Sequence, residues 1–297
     1  MQIIVTLAGL GQRFKEEGYS KPKPLVDVLG QPAIYHLIKS FSLKWKLIFV
    51  IGEQYRASEL ESIIKKISPE CKIIFVPYSE RGPIDTVAAA IPYLDWNESV
   101  VISYCDYSMV WDPMHFEQYV EASDCDAAVL SYRGFHPTYL GPNTYAHMLV
   151  DQNSQEITQI QEKKLFGNDL EAEWSSAGFY YFRSVELLKE GMRLQTEKVL
   201  KYKNEFYTSL AIQALIEESP KFKKLKIVNY EIPFIVQMGT PEDIRQIEKW
   251  HQRIILDGPK TTEPYSGIEK KLFDYWSAVF SSTKVELDRA ENQLVRS

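Results

Sequence analysis

The sequence predicts an α/β fold: a mixed, mainly parallel central sheet flanked by helices, with antiparallel additions in its second half and a C-terminal helical tail. Three observations predict it. From residue 3 to residue 132, short runs of strand formers alternate with segments of helical period, the order that calls for parallel strands joined by crossover helices. After about residue 140, strand-like segments follow one another with little helix between them. Beyond a Gly/Pro/Thr-rich stretch at 258–267, apolar residues again recur at helical spacing.

Each element has its own signal. "IIVTLAG" (3–9) is an apolar run ending in glycine, the pattern of a buried parallel strand. "PAIYHLIKSFSL" reads as a helix with Pro32 at its first position, and "KLIFVIG" (46–52) as the next strand. "SELESIIKKIS" puts Leu60, Ile63, Ile64 and Ile67 on one helical face. The alternation continues through "KIIFVPY", "PIDTVAAAIPYL", "SVVISYCD", the helix "PMHFEQYVEAS" with Asp112 as its cap, and "CDAAVLSY". "NTYAHMLVD", "EITQIQEK" and "WSSAGFYYF" are the antiparallel additions. The helices "SVELLKEGM" and "FYTSLAIQALIEE" and the strands "KLKIVNY" and "IPFIVQMG" come next. In "TPEDIRQIEKWHQRIIL", Thr240 caps a helix, Pro241 occupies the first turn and Asp243 completes a capping box. In the tail, Ile268, Leu272, Phe273, Trp276, Val279 and Phe280 form a stripe, read as packing within the chain, with a contact between copies as the alternative. The expected division is a main domain over 1–257 and a linker with helical extension over 258–297.

Composition bounds the partners. A formal net charge of -6 and a pI near 5.6 lack the basic footprint of a nucleic-acid binder, so an anionic ligand must be held by local cations. Three cysteines, Cys71, Cys105 and Cys125, form neither a CxxC pair nor an even set, which points to a reducing compartment, by default the cytoplasm. No apolar run approaches the roughly 18 residues of a membrane span, and the chain opens on a strand rather than a signal-type segment, so no membrane partner is expected. The five histidines show no metal-ligand spacing and read as structural or surface residues.

The first strand leads into "LAGLGQRF". A dinucleotide fingerprint would need a third glycine where Phe14 stands, and a phosphate-binding Walker loop would need a Gly-Lys-Ser/Thr ending. What remains is a loop in which Gly9 and Gly11 let the backbone approach a ligand, with N–H groups facing its phosphates. Arg13 adds a forked cation at the same mouth, and Lys21 and Lys23 return there on a segment stiffened by Pro22 and Pro24. The combination suits a triphosphate.

The stretch Leu7, Ala8, Gly9, Gly11, Arg13, followed by Lys23, Pro24 and Leu25, resembles the L-A-G-x-G-x-R and K-P-L signature of the sugar-phosphate nucleotidyltransferases. With Phe14, Gly18, Tyr19 and Pro22 included, it is most similar to members of capsule and surface-polysaccharide pathways. The resemblance implies a Rossmann-like, glycosyltransferase-A type fold and a magnesium-dependent reaction. In that reaction a nucleoside triphosphate and a sugar 1-phosphate, or a related small phosphate, give an activated sugar and pyrophosphate. It assigns Leu7, Ala8, Gly9, Gly11 and Gly82 to the nucleotide, Asp106 to the metal, Glu162 to sugar hydroxyls, Lys163 to the sugar phosphate and Gly178 to the sugar-side strand. Arg13 would face the departing pyrophosphate, and Lys23 the α-phosphate and pyrophosphate. Lys164 competes with Lys163, because strand alternation turns only one of them inward. "VQMGTPEDI" matches a late G-T-P-E segment, but Gln237 stands where many relatives carry a second metal-binding aspartate, and a neutral amide is a poor substitute for a carboxylate on a hard cation. The rival readings are a glycosyltransferase of the same fold, which consumes a nucleotide sugar, and a non-catalytic nucleotide-binding relative, which Gln237 would favour.

Overall fold

The computed structural model describes residues 1–142, 145–218, 224–257 and 265–294, with side chains in the last helix up to residue 282. Strands β1 (Gln2–Leu7), β2 (Asp27–Val28), β3 (Gln31–Pro32), β4 (Lys46–Gly52), β5 (Lys72–Val76) and β6 (Val100–Tyr104) come with helices α1 (Gln12–Glu16), α2 (Ala33–Lys39), α3 (Leu60–Ile67) and α4 (Pro83–Ala90). Then follow β7 (Tyr107–Val110), α5 (Pro113–Ser123), β8 (Ala127–Tyr132), β9 (Ala146–Val150), β10 (Ile157–Glu162) and β11 (Trp174–Phe182). The chain continues through α6 (Val185–Glu197), α7 (Thr208–Glu218), β12 (Ile227–Glu231), β13 (Phe234–Gln237), α8 (Pro241–His251) and α9 (Gly267–Leu294).

The central sheet runs in the order β10-β9-β11-β6-β1-β4-β5, with β8 paired to β11 and β12 to β8. The β5-β4-β1-β6 ladders and the β8-β12 ladder are parallel; β11 runs antiparallel between β6 and β8, and β9 and β10 extend the antiparallel part. This is the α/β architecture expected, and β1 shows why: all six of its residues are buried, as a parallel strand covered by helices on both faces requires. One core lies on the side of α2, α3 and α5, and a second on the side of α4, α6 and α7.

Details depart from expectation where local geometry overrides pattern. Pro32 is the cap of α2, in extended conformation (ψ 144°), and not its first helical residue. It also closes the short β2-β3 hairpin. Asp112 caps α5, its Oδ1 accepting from Met114 N and His115 N, and Thr240 with Asp243 forms the reciprocal capping box of α8. β7 and β13, two short antiparallel strands, make a ribbon outside the main sheet.

On the tail helix, Leu272, Trp276 and Val279 are buried, together with Tyr275, against Val110, Met238, Ile244, Ile247 and Trp250 of the same chain. Ile268, at the first turn, is 55% exposed and does not belong to the buried stripe. The expected linker falls, for residues 258–264, outside the described residues. Among the described residues no helix is long and apolar enough to cross a membrane.

Candidate active site

Two cavities open at the carboxyl ends of β1 and β6, where ligands bind in sheets of this kind. The first, of about 290 Å³, is lined by Thr6, Ala8, Gly9, Tyr78, Ser79, Gly82, Pro83, Thr86 and Glu205. The second, of about 240 Å³, is lined by Arg13, Glu162, Lys163, Ser176, Gly178, Tyr180, Gln237, Gly239 and Asp243, among others. Tyr104, Asp106 and Tyr207 belong to the walls of both, so the cavities meet along a seam at Asp106.

The loop after β1 is fixed by two residues that the motif does not include. Tyr55 Oη donates to the carbonyl of Gly9 at 2.6 Å, and Gln54 Nε2 donates to those of Ala8 and Gly9 at 3.1 and 3.2 Å. Leu7 points into the core, and Gly11 caps α1 behind the loop; neither lines a cavity. Gly82 has φ +85°, and a Cβ there would lie 2.9 Å from Glu205 Cβ. Both the left-handed conformation and the close approach require glycine at this position.

Asp106 lies just past the end of β6. Its backbone carbonyl accepts from Met238 N at 2.7 Å, and the register of the ribbon sets Gln237 opposite Tyr107. The carboxylate is ion-paired to Lys23 Nζ at 2.7 Å. Burial alone would push the Asp106 carboxyl up, but the Lys23 ammonium outweighs it and holds the group below its ordinary range. Burial likewise opposes the charge on Lys23, and Asp106 reverses the balance, raising it. Lys23 is thus held at the seam through Asp106, whereas Lys21 is exposed and lines neither cavity. Cys105, beside Asp106, has its thiol pushed up to about 12 by burial, so it is no thiolate nucleophile.

On the far wall, β10 ends in Glu162, Lys163 follows it, and both side chains face the cavity. Strand alternation would send them to opposite sides; Lys163 adopts a left-handed φ of +55°, which breaks the alternation and leaves Lys164 exposed. Glu162 is 7% exposed, accepts from Ser209 Oγ at 2.6 Å, and lies 3.8 Å from Lys163 Nζ. Burial pushes its carboxyl up to about 7, against the pull of Ser209 and Lys163. Burial also pulls the Lys163 ammonium down, against Glu162 and Glu205.

Gly178 sits in β11 with φ +80°, at the register shift between Ser176 and Tyr180; a Cβ would meet Tyr104 Cδ2 at 3.0 Å and Tyr107 Cε1 at 3.4 Å. Tyr180, buried against the sheet, also reaches the cavity wall, its hydroxyl accepting from Ser176 Oγ.

The oxygen donors near the seam are the Asp106 carboxylate, the Gln237 amide and the Asp243 carboxylate, the last held by the capping box. Among the described residues there is no cluster of three His, Cys, Asp or Glu side chains that would enclose a metal by itself. Gly239 leaves room beside Asp106, since a Cβ there would fall 2.9 Å from Asp106 Oδ2. One carboxylate in an oxygen-lined gap open to a ligand suits magnesium, which keeps waters and takes substrate phosphate oxygens.

The residues that sequence reasoning misses are Tyr207 and Glu205 above all. The helical pattern of "FYTSLAIQALIEE" takes in Tyr207, but α7 begins at Thr208, which leaves Glu205 and Tyr207 on the loop that borders both cavities.

Known proteins share parts of this sequence and its fold. Residues 3–166 match the family of MobA-like NTP transferase domains. A glucose-1-phosphate cytidylyltransferase of Salmonella typhimurium is 37% identical over 56 residues, 19% of this chain and 22% of that protein. The bifunctional protein GlmU of Methanocaldococcus jannaschii is 25% identical over 254 residues, 84% of this chain and 54% of that protein. The chain therefore spans about a fifth to about a half of the length of these curated relatives. The solved structure of a nucleoside-diphosphate-sugar pyrophosphorylase from Vibrio cholerae RC9 superposes with a TM-score of 0.66 at 19% identity, covering 83% of this chain and 99% of that one. That likeness establishes the fold.

Proposed function

We propose that the chain, which belongs to the family of MobA-like NTP transferase domains, is a magnesium-dependent nucleotidyltransferase that couples a nucleoside triphosphate to a sugar 1-phosphate, or a related small phosphate, with release of pyrophosphate. The reading rests on one juxtaposition: a glycine-bordered cavity and a carboxylate- and tyrosine-lined cavity share Asp106, with Lys23 against that carboxylate and Lys163 on the far wall. The cavity beside Ala8, Gly9 and Gly82 takes the nucleoside, and the cavity beside Glu162, Lys163 and Gly178 takes the acceptor.

Both reactants are anions, so the chief barrier is their repulsion in a confined site. An oxygen of the acceptor phosphate attacks the α-phosphorus; the new P–O bond forms as the bond to the β-phosphate oxygen breaks, and pyrophosphate leaves on the opposite side. Positioning and charge neutralisation suffice, with no protein nucleophile. Lys163 holds the incoming phosphate, Lys23 the α-phosphate region, and Arg13 the departing pyrophosphate. Asp106 would hold magnesium, which when bound would neutralise the charge that develops on the phosphate oxygens. Glu162 accepts from acceptor hydroxyls. A role in capsule or surface-polysaccharide synthesis is supported by the extended motif with Phe14, Gly18, Tyr19 and Pro22.

The test is pyrophosphate release from each of CTP, UTP, dTTP, GTP and ATP with magnesium, against a panel of sugar 1-phosphates and other small phosphates. One pair should turn over, and Lys163→Ala should slow it about 100- to 1,000-fold. Nucleotide binding without turnover of any pair would leave the non-catalytic reading in its place.

A further inference from the structure

We propose that Tyr207 is a positioning residue for Lys163, and that the segment Glu205–Tyr207 ties the acceptor wall to the nucleoside wall; the inference rests on the function proposed above. Lys163 Nζ donates to Tyr207 Oη at 2.6 Å, and the ammonium also lies 4.1 Å from the centre of the Tyr207 ring. The same hydroxyl donates to the Glu205 carboxylate. Lys163 is thereby fixed by a hydrogen bond, a ring face and, at 3.8 Å, Glu162, while its ammonium, with three donors, keeps one for a ligand oxygen.

A lysine on a four-carbon stem needs such a tether to present its charge at one place. The backbone reinforces the point. Lys163 holds a left-handed conformation that a non-glycine residue keeps only when its surroundings over-determine it.

The tether is itself anchored to the nucleoside side. Phe206 N donates to Arg81 O at 2.8 Å, and Ile84 N to Phe206 O at 3.2 Å, so the loop carrying Tyr207 is clamped on both sides of Gly82. Glu205 packs where a Cβ at Gly82 would clash. On its other side, Gln195 Nε2 donates to the carbonyl of Tyr207 at 2.9 Å. The lysine of one cavity is therefore held by a segment built onto the wall of the other.

Tyr207→Phe keeps the ring and its packing and removes only the hydroxyl. With the nucleotide and acceptor pair that the unmodified chain turns over, this variant should lose about tenfold in kcat/KM for the acceptor, while KM for the nucleotide moves by less than about twofold. Lys163→Ala should lose about 100-fold, and the double variant should be no slower than Lys163→Ala, because the hydroxyl acts through the lysine. Wild-type kinetics in Tyr207→Phe, or a tenfold loss that persists on the Lys163→Ala background, would overturn the inference while leaving the nucleotidyltransferase reading in place. Absence of turnover by the unmodified chain with every pair would overturn both.

Discussion

Glu162 should cost the fold stability in return for its place in the cavity, and the size of that cost follows from its burial. The carboxyl is 7% exposed, and its pKa is pushed from an ordinary 4.5 up to about 7. Well below pH 4.5, folded and unfolded chains both hold the proton and the penalty vanishes. As pH rises through the interval up to about 7, the unfolded chain releases the proton and the folded chain retains it, so stability is lost progressively and levels off above that value. The gap of two and a half pH units, at about 1.4 kcal/mol each, comes to about 3 to 4 kcal/mol. Glu162→Gln cannot ionise and can still accept from Ser209 Oγ, so it should stabilise the chain by about 3 to 4 kcal/mol at pH 8 and by no more than about 0.2 kcal/mol at pH 4. In a domain of this size the pH 8 gain amounts to a rise in Tm of about 6–16 °C. Paired thermal or urea melts at the two pH values read it directly, and a stability change in Glu162→Gln that is equal at both would refute the argument.

Three further outcomes follow from other contacts. Lys23→Met frees Asp106 Oδ2 from a cation 2.7 Å away, so calorimetry should find tighter magnesium binding even as turnover falls about 100- to 1,000-fold; weaker magnesium binding would count against Asp106 as the metal ligand. Gly178→Ala must adopt φ +80° with a Cβ 3.0 Å from Tyr104, which should destabilise the chain by about 2–4 kcal/mol in urea unfolding, and a loss below about 0.5 kcal/mol would mean that β11 relaxes freely. Trp276→Ala opens a hole where α9 packs on α8, with an expected loss of about 3–5 kcal/mol; a neutral result would show that the tail contributes little to the fold.

Much of the scaffold was legible because periodicity reports burial. β4, α5 and β11 begin and end where the apolar pattern sets them, β4 closing on Gly52 and α5 opening at the Asp112 cap. The capping box of α8 was readable for the same reason. Strand β13 was readable within "IPFIVQMG", but β7 and its pairing with β13 were not, because a four-residue strand that pairs across more than 120 positions leaves no local period. Ile268 fits the stripe by spacing but falls on the first turn of α9, beyond the surface that α8 covers. At the site, motif spacing brought the loop after β1, Asp106 and the β10 end into consideration. What spacing cannot carry is direction: the left-handed turn at Lys163 places two consecutive side chains on one wall, and the start of α7 at Thr208 releases Tyr207 into the seam. Both depend on tertiary contacts, the hydrogen bond from Lys163 to Tyr207 and the clamp of Phe206 on Arg81 and Ile84.

In the proposed reaction, two anionic substrates meet at Asp106 and a nucleotidyl group passes from one to the other. Phosphorus NMR of the chain with magnesium, the active triphosphate and its acceptor phosphate tests it most directly. Pyrophosphate and a diphosphate diester should appear in equal amounts, with both abolished in Asp106→Ala. Inorganic phosphate in place of pyrophosphate, or full turnover by Asp106→Ala, would contradict it.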